Sequence, residues 1–271
     1  MLGGIASLIS VFSSINPNKL KYNVAFILTD DEEQELKSIE RVLNAIYPKI
    51  EEKGIVGCFV CEPTEMKPLV GQRGLVRGKI EFTGNRTHVS RPDLGLDIFK
   101  EINAIYTHML NLCQREQKKY GDDKRFIPPG IYYRIQDIQT DSEFKHSVGG
   151  MKLNFMISHL PQHNVKKILK SMRSYVRILE EKLKMKDAST RIKFEVSKSY
   201  PSFLCNSNSE FLQNIETLFP KNEILGASFG SEAPVVAENL GLKSAVMTEL
   251  LSVGIQGIRE GMNDMSENGR S

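Results

Sequence analysis

Carboxylate side chains follow two short apolar runs of this 271-residue sequence, at points where strand ends are expected. Glu32 and Glu33 come shortly after the run 24–28, and Glu62 comes two residues after the end of the run 55–60. A proline follows Glu62, and proline blocks strand continuation while it favours extended geometry in the residue before it. Glu62 is therefore predicted at the carboxyl end of a strand, where open α/β sheets hold their ligands. Carboxylates at such a place can bind a metal ion or act as a general base.

A histidine lies further along the chain in a polar turn. Residues 71–74, Gly-Gln-Arg-Gly, are expected to interrupt the regular secondary structure. A strand with alternating apolar residues is predicted after them, over 75–82. His88 then follows Gly84 in a turn that Pro92 ends. A neutral imidazole in a turn can donate or accept a proton, so His88 is a second candidate for chemistry.

These segments, in this order, resemble the core signature of the di-zinc acetylornithine deacetylase, succinyl-diaminopimelate desuccinylase and carboxypeptidase G family. The Gly-Glu-Pro-Thr of that family corresponds to residues 61–64, its Gly-x-x-Gly to 71–74, and its Gly-x-x-x-His-x-x-x-Pro to 84–92. Residues 29–33 resemble its Asp-Glu-Glu segment, and residues 229–234 resemble the Thr-Glu-Ala-Pro of its deacetylase branch.

The resemblance implies hydrolysis of N-acyl amino acids by a water molecule held between two zinc (or cobalt) ions. By resemblance, Glu32 corresponds to the general base and Glu33 to a ligand of one metal, while Glu62 corresponds to a ligand of the other. Adjacent acids can fill both roles because consecutive side chains of an extended chain point to different sides. His88 corresponds to the histidine that reaches the partner subunit's site and donates a hydrogen bond to the oxyanion.

Several alternatives stay open. A family site also uses an upstream His-x-Asp, a bridging aspartate and a late histidine, whereas this sequence begins after the place of that aspartate and has no histidine after His163. We therefore expect impaired hydrolysis by this chain alone, and the alternative is a non-catalytic dimerising relative or a fragment of the family. A carboxypeptidase-like or aminoacylase-like enzyme is the alternative within the hydrolase class. Taken without the resemblance, residues 31–33 would be a solvated first turn of a helix, Glu62 a loop acid and His88 a surface histidine.

Other residues that could bind metal are expected to be structural. Cys58 and Cys61 form a C-x-x-C, but no second pair or nearby histidine completes a zinc site. His108 is predicted on a helix and His159 on a strand, where a structural role is expected. His146 lies next to the place of a substrate-binding residue of the family but is not equivalent to it.

The elements around the carboxylates predict an α/β domain with a parallel or mixed sheet. A strand at 24–28, a helix at 34–46 and a strand at 55–60 form a βαβ unit. The chain is expected to return to this domain near residue 199, so that residues 1–74 and 199–271 form the incomplete zinc-hydrolase domain. Further elements are predicted in it: helices at 3–12, 206–218 and 234–240, and a strand at 224–229.

Residues 75–198 predict a separate module. Strands at 75–82, 131–138, 151–158 and 192–196 alternate with helices at 96–117 and 165–183, in the order βαββαβ of a ferredoxin-like layer. The resemblance implies that this inserted module is a lid and dimerisation domain, and we expect a homodimer through it.

Composition excludes some classes of function. The 36 basic and 33 acidic residues give a net charge of +3, which indicates neither a nucleic-acid partner nor a membrane partner. The apolar stretch at residues 1–12 is shorter than the roughly 20 residues that a spanning helix needs. Four irregularly spaced cysteines and no signal peptide predict a cytoplasmic protein.

Overall fold

The computed structural model forms two compact units that are interleaved along the chain. The first unit comprises Met1–Gln72, Arg125–Ile127 and Phe203–Ser271, and the second comprises Arg73–Lys124 and Pro128–Ser202. The structure describes residues 2–20, 22, 24–30, 37–50, 55–65, 67–141, 145–218, 225–240 and 245–247.

The first unit is a mixed α/β layer around a short central strand. Its helices are α1 (Leu2–Ser14), α2 (Lys37–Ile50), α5 (Glu210–Leu218) and α6 (Ala233–Asn239). Its strands are β1 (Cys58–Val60), β2 (Leu69–Gln72), β7 (Phe203–Leu204), β8 (Leu225–Ala227) and β9 (Ala245–Met247). The sheet order is β1-β9-β2-β7, and β8 also pairs with β2. The β1–β9 and β2–β8 pairs are parallel, whereas β2 pairs antiparallel with β7 and β9, so the predicted mixed sheet is confirmed.

Strand β2 separates two apolar clusters of this unit. All four of its residues are buried, and successive side chains of a strand point to opposite faces. Leu69 accordingly packs with Ala233 and Ala237 of α6, whereas Val70 packs with Leu212 and Ile215 of α5. Helix α5 begins where Ser209 Oγ accepts a hydrogen bond from Leu212 N (3.2 Å) and so caps the first turn.

Two sequence-based expectations in this unit are wrong. Residues 24–28 form no strand, and Val24, Phe26 and Leu28 are exposed, because an apolar run becomes a strand only where a neighbour offers a ladder of hydrogen bonds. The break expected over residues 71–74 is wrong in its extent, since Gly71 and Gln72 lie inside β2 and only Arg73 separates β2 from the next strand. Gly71 suits this position because a Cβ would lie 3.0 Å from the backbone oxygen of Phe203 and 2.9 Å from Leu204 Cδ1 on β7, so these neighbours would have to move.

The second unit is an antiparallel sheet covered by two helices. Its elements are β3 (Gly74–Thr83), α3 (Ile98–Tyr120), β4 (Tyr132–Thr140), β5 (Gly150–His159), α4 (Val165–Lys184) and β6 (Arg191–Tyr200). The sheet order β4-β5-β3-β6, with every pair antiparallel, is that of a ferredoxin-like layer, as the sequence predicts.

The core of the second unit follows from two periodicities. Alternate residues of β3, including Val76, Ile80 and Phe82, point inward and are fully buried. Helices α3 and α4 cover them with apolar residues at helical spacing: Ile98, Ile102, Ile105, Met109 and Cys113 of α3, and Ile168, Met172, Val176, Leu179 and Leu183 of α4. Asp97 and Asn164 cap the two helices by accepting hydrogen bonds from Lys100 N and Lys167 N.

None of the helices in the described ranges has the length and apolar character needed to cross a bilayer.

Candidate functional site

Glu62 lies two residues beyond the end of β1, as the sequence predicts, and is half-buried. The two cysteines beside it are poor metal ligands at neutral pH. Burial, followed by the charges of Cys61 and Glu232, raises the pKa of Cys58 to about 12. Burial and then the Glu62 carboxylate raise the pKa of Cys61. Because the thiolate is the form that binds metals, the C-x-x-C stays a protonated, structural pair.

Glu232 is a further candidate residue, which the sequence interpretation did not single out. Its side chain is 8% exposed, and its Oε2 accepts a hydrogen bond from Thr29 Oγ1 at 3.0 Å. Thr29 directly precedes the acidic run that contains the candidate base. The effect of Glu232 on the pKa of Cys58 places this carboxylate near β1 as well. The signal that could have identified Glu232 is its position in the segment 229–234, which resembles the deacetylase branch.

The residues around Glu232 are fixed by a buried hydrogen-bond network. Ser231 Oγ donates to Gln72 Oε1 of β2 at 2.6 Å, and it accepts a hydrogen bond from Ala233 N at 3.2 Å. Ser231 and Gln72 are 3% and 0% exposed, so their side chains cannot bond to solvent water. These hydrogen bonds provide polar partners in its place. The start of α6 is thereby attached to the central strand, and Glu232 is held next to Thr29.

Glu32 and Glu33 lie outside the described residues, and their assigned roles stay predictions. Glu62 and Glu232 belong to the first unit, whereas His88 belongs to the second.

His88 is exposed and lies opposite His146 in an isolated antiparallel bridge. Its Nδ1 atom is 2.8 Å from Ser90 Oγ, and Ser90 N donates to the same atom at 3.3 Å. When Nδ1 accepts both of these bonds, the proton of the neutral ring is on Nε2. This tautomer presents an N–H group to a bound molecule, which is the form that an oxyanion donor needs.

The remaining histidines of the second unit are structural. His159 is 4% exposed, and burial lowers its pKa to about 4, so it is neutral at physiological pH. His163 is also buried, and its Nδ1 accepts a hydrogen bond from Leu160 N at 3.0 Å. The ring of His108 stacks on Tyr175 with 4.0 Å between centroids, and burial lowers the pKa of His108.

The described residues do not supply a zinc centre. No group of three or more His, Cys, Asp and Glu side chains within the described ranges could hold a metal ion. Of the two predicted ligands, Glu62 is described and Glu33 is not. One carboxylate oxygen donor by itself does not fit a zinc pair, because nitrogen and sulfur donors provide much of the affinity for zinc.

The architecture combines a mixed α/β unit, in which Glu62 follows the end of β1, with a ferredoxin-like unit, and it agrees with comparison to known families. The chain belongs to peptidase family M20/M25/M40, whose model matches residues 1–261. Enzymes of this family are in general metal-dependent hydrolases.

The curated relatives are acetylornithine deacetylases of low identity. The enzyme of Buchnera aphidicola subsp. Acyrthosiphon pisum (strain Tuc7) is 24% identical over 238 residues, which cover 86% of this chain and 58% of that protein. The enzyme of Aliivibrio salmonicida is 22% identical over 182 residues, 67% of this chain and 46% of the relative. The chain thus spans about half the length of these relatives.

Solved structures show the same fold. A tripeptidase from Staphylococcus aureus matches with a TM-score of 0.68 and 14% identity over 96% of this chain and 70% of that chain. The aminopeptidase PepT from Bacillus cereus matches with a TM-score of 0.65 and 13% identity over 91% and 61% of the two chains.

Proposed function

We propose that this protein is a deacetylase-like amidohydrolase that acts on N-acylated amino acids, as acetylornithine deacetylases do. The observation that carries the proposal is the hydrogen bond from Thr29 to buried Glu232. It joins the segment that resembles the deacetylase branch to the residue that precedes the acidic run. Family membership and the deacetylase relatives support the same class of reaction.

In the proposed reaction, Glu32 takes a proton from the water molecule whose oxygen attacks the amide carbonyl. The carbonyl π electrons move to the oxygen, which becomes an oxyanion, and His88 Nε2–H donates a hydrogen bond to it. When the C–N bond breaks, the electron pair goes to the nitrogen, and Glu32 returns the proton to the leaving amine. Ser90 N donates a hydrogen bond to His88 Nδ1 and so fixes the orientation and the tautomer of the ring for this role.

We further propose a homodimer, because the role assigned to His88 requires that its side chain reach the site of a second subunit. Among the described strands, β4 and β6 are the outer ones of the sheet, and each pairs there with one neighbour. The outer part of β4 includes Ile138, which is 46% exposed. Pairing two such edges across a twofold axis would satisfy their open backbone groups. We also propose a cytoplasmic location, which the four free cysteines support.

A non-catalytic dimerising protein is the second candidate function. It is favoured by the lack of a three-ligand metal group among the residues that the structure describes. In that case the second unit would provide the function, and the carboxylates of the first unit would be remnants of an ancestral site.

The experiment that separates these functions is an assay of acetate release from N-acetylornithine by the full chain, with added Zn²⁺ or Co²⁺. We expect slow turnover that Glu32→Gln lowers by at least about a hundredfold, since a general base contributes roughly 10²–10⁴-fold. The metal content should stay unchanged, because Glu32 is not assigned as a ligand. Turnover that survives Glu32→Gln would refute the assigned base, and no turnover with either metal would favour the second candidate.

A further inference from the structure

His88 and His146 face each other as a non-hydrogen-bonded pair of two antiparallel segments. Two backbone hydrogen bonds flank the pair, one from Val89 N to Lys145 O (3.2 Å) and one from Ser147 N to Thr87 O (2.8 Å). In such a pair the Cα atoms are about 4.5 Å apart and both side chains point to the same face. The two imidazoles are therefore neighbours on one exposed surface.

The separation of the two rings suits a shared metal ion. Their centroids are 6.0 Å apart, and the rings are inclined at 84°. A metal ion lies about 3.2 Å from the centroid of an imidazole that binds it through a bond of about 2.0–2.1 Å. Two imidazoles on one tetrahedral ion thus have centroids about 5.2 Å apart, so these two rings would have to approach each other by roughly 0.8 Å. Because both rings are exposed, a small rotation of the side chains can direct one nitrogen atom of each ring to a common ion.

Ser90 provides the outer hydrogen bond that a metal-bound histidine requires. When the proton of His88 is on Nδ1, that nitrogen donates to Ser90 Oγ at 2.8 Å. The lone pair of Nε2 is then available to a metal, and a fixed donor bond on the other nitrogen is typical of histidine ligands. Metal binding would select this tautomer over the one in which Ser90 N donates to Nδ1.

The two segments that carry the histidines are held in place before any ion binds. Asp141 Oδ1 accepts hydrogen bonds from Gly149 N (2.9 Å) and Gly150 N (2.7 Å), and its carboxylate pairs with Arg86 at 3.0 Å. Gly84 N donates to Gly149 O at 2.8 Å. A site with two ligands gains affinity from such preorganisation, because little conformational entropy is lost on binding.

We propose that His88 and His146 form a two-histidine binding site for a divalent transition-metal ion of the zinc, nickel and copper class, the ions that imidazole ligands favour. The site is built from the second unit alone and does not involve Glu33 or Glu62. It has a consequence that rests on the proposed function: an ion on His88 Nε2 replaces the N–H donor to the oxyanion. Excess metal would then inhibit the hydrolysis in which His88 takes part.

The test is a calorimetric titration of the untagged full chain with Ni²⁺, which imidazole binds more strongly than carboxylate does. We expect one Ni²⁺ per chain, and we expect His88→Ala and His146→Ala each to weaken binding at least tenfold. Glu62→Gln is the control for metal binding in the first unit. Lys145→Ala is the control for an exposed substitution next to His146 that removes no imidazole. Lys145→Ala should bind Ni²⁺ as the unchanged protein does, and Glu62→Gln, which removes a predicted ligand of the first unit, should leave the Ni²⁺ held by the two histidines in place.

Histidine ring signals in NMR spectra provide a second readout. Paramagnetic Ni²⁺ should broaden the signals of His88 and His146 together and spare those of His108, His159 and His163. Because both substituted histidines are exposed, the variants should keep the far-ultraviolet circular dichroism of the parent protein. The proposal is overturned if both histidine variants retain full affinity, or if Glu62→Gln abolishes binding. Neither readout requires turnover, so a failure of the proposed hydrolase activity would leave these results unaffected.

Discussion

Arg73 stabilises the second unit through neutral acceptors, and its replacement should be costly. The side chain is 3% exposed, and its guanidinium donates to Ser158 Oγ at 2.8 Å and to the carbonyl oxygens of Pro128 and Gly130. It also lies over the ring of Tyr132, 4.7 Å from the centroid. Arg73 is the residue before β3. Its planar guanidinium group thus joins that point of the chain to strand β5 and to the loop that precedes β4.

Arg73→Met removes the three donors and leaves a hydrophobic chain of similar length. Each hydrogen bond from a charged donor contributes roughly 1.5–3 kcal/mol, and the three acceptors would lose their partners. Part of this loss is offset because the guanidinium no longer has to be buried, at a cost of several kcal/mol per ion. We expect a net decrease of about 2–4 kcal/mol in the free energy of unfolding.

Urea unfolding followed by far-ultraviolet circular dichroism measures this change, with tyrosine fluorescence as a second probe, since the chain has 8 tyrosines and 0 tryptophans. Arg73→Lys is the matched variant, because it keeps the charge but lacks the planar fork. Lysine should recover less than half of the lost stability. A decrease below about 0.5 kcal/mol in Arg73→Met, within the range of ordinary surface substitutions, would show that the network contributes little.

Two further predictions concern acid stability and assembly. The folded-state pKa of His159, about 4, lies below the ordinary value of 6.5, so the stability it contributes is complete above pH 6.5 and is lost as the pH falls towards 4. From this difference in pKa, linkage gives a loss of up to about 3 kcal/mol in the free energy of unfolding. Between pH 7 and pH 4, the free energy of unfolding should therefore depend less steeply on pH in His159→Gln than in the unchanged protein. An unchanged slope would contradict this. Sedimentation velocity of the full chain should show a dimer at micromolar concentration that Ile138→Lys weakens, and a folded monomer throughout would exclude pairing through β4.

The second unit was the more predictable part of the fold because its pattern is local. Alternation in β3 and helical spacing in α3 each span many residues, so small errors at their ends do not change the order of elements. The short strands of the first unit carry no such pattern. Strand β2 contains a glycine, which favours a break, whereas residues 24–28 are apolar but have no pairing strand among the described residues.

The candidate site was predictable only where a motif identified it. Glu62 follows β1 as expected from the proline after it, and His88 lies in the expected turn. The hydrogen bond between Thr29 and Glu232 joins residues that are 203 positions apart, and no periodicity reports such a contact. The pairing of His88 with His146 depends likewise on the register of two separate segments, which the individual motifs do not specify.

The position of β2 between two apolar clusters restricts where residues can be inserted into or deleted from the first unit. Deleting or inserting one residue within this strand would exchange the faces of Leu69 and Val70, so that each would meet the cluster of the other. The same shift would turn Gln72 away from Ser231 and release the start of α6. Length changes should therefore be tolerated in the turn before β2, where Glu65 is exposed and has a positive φ of 54°, and not within the strand.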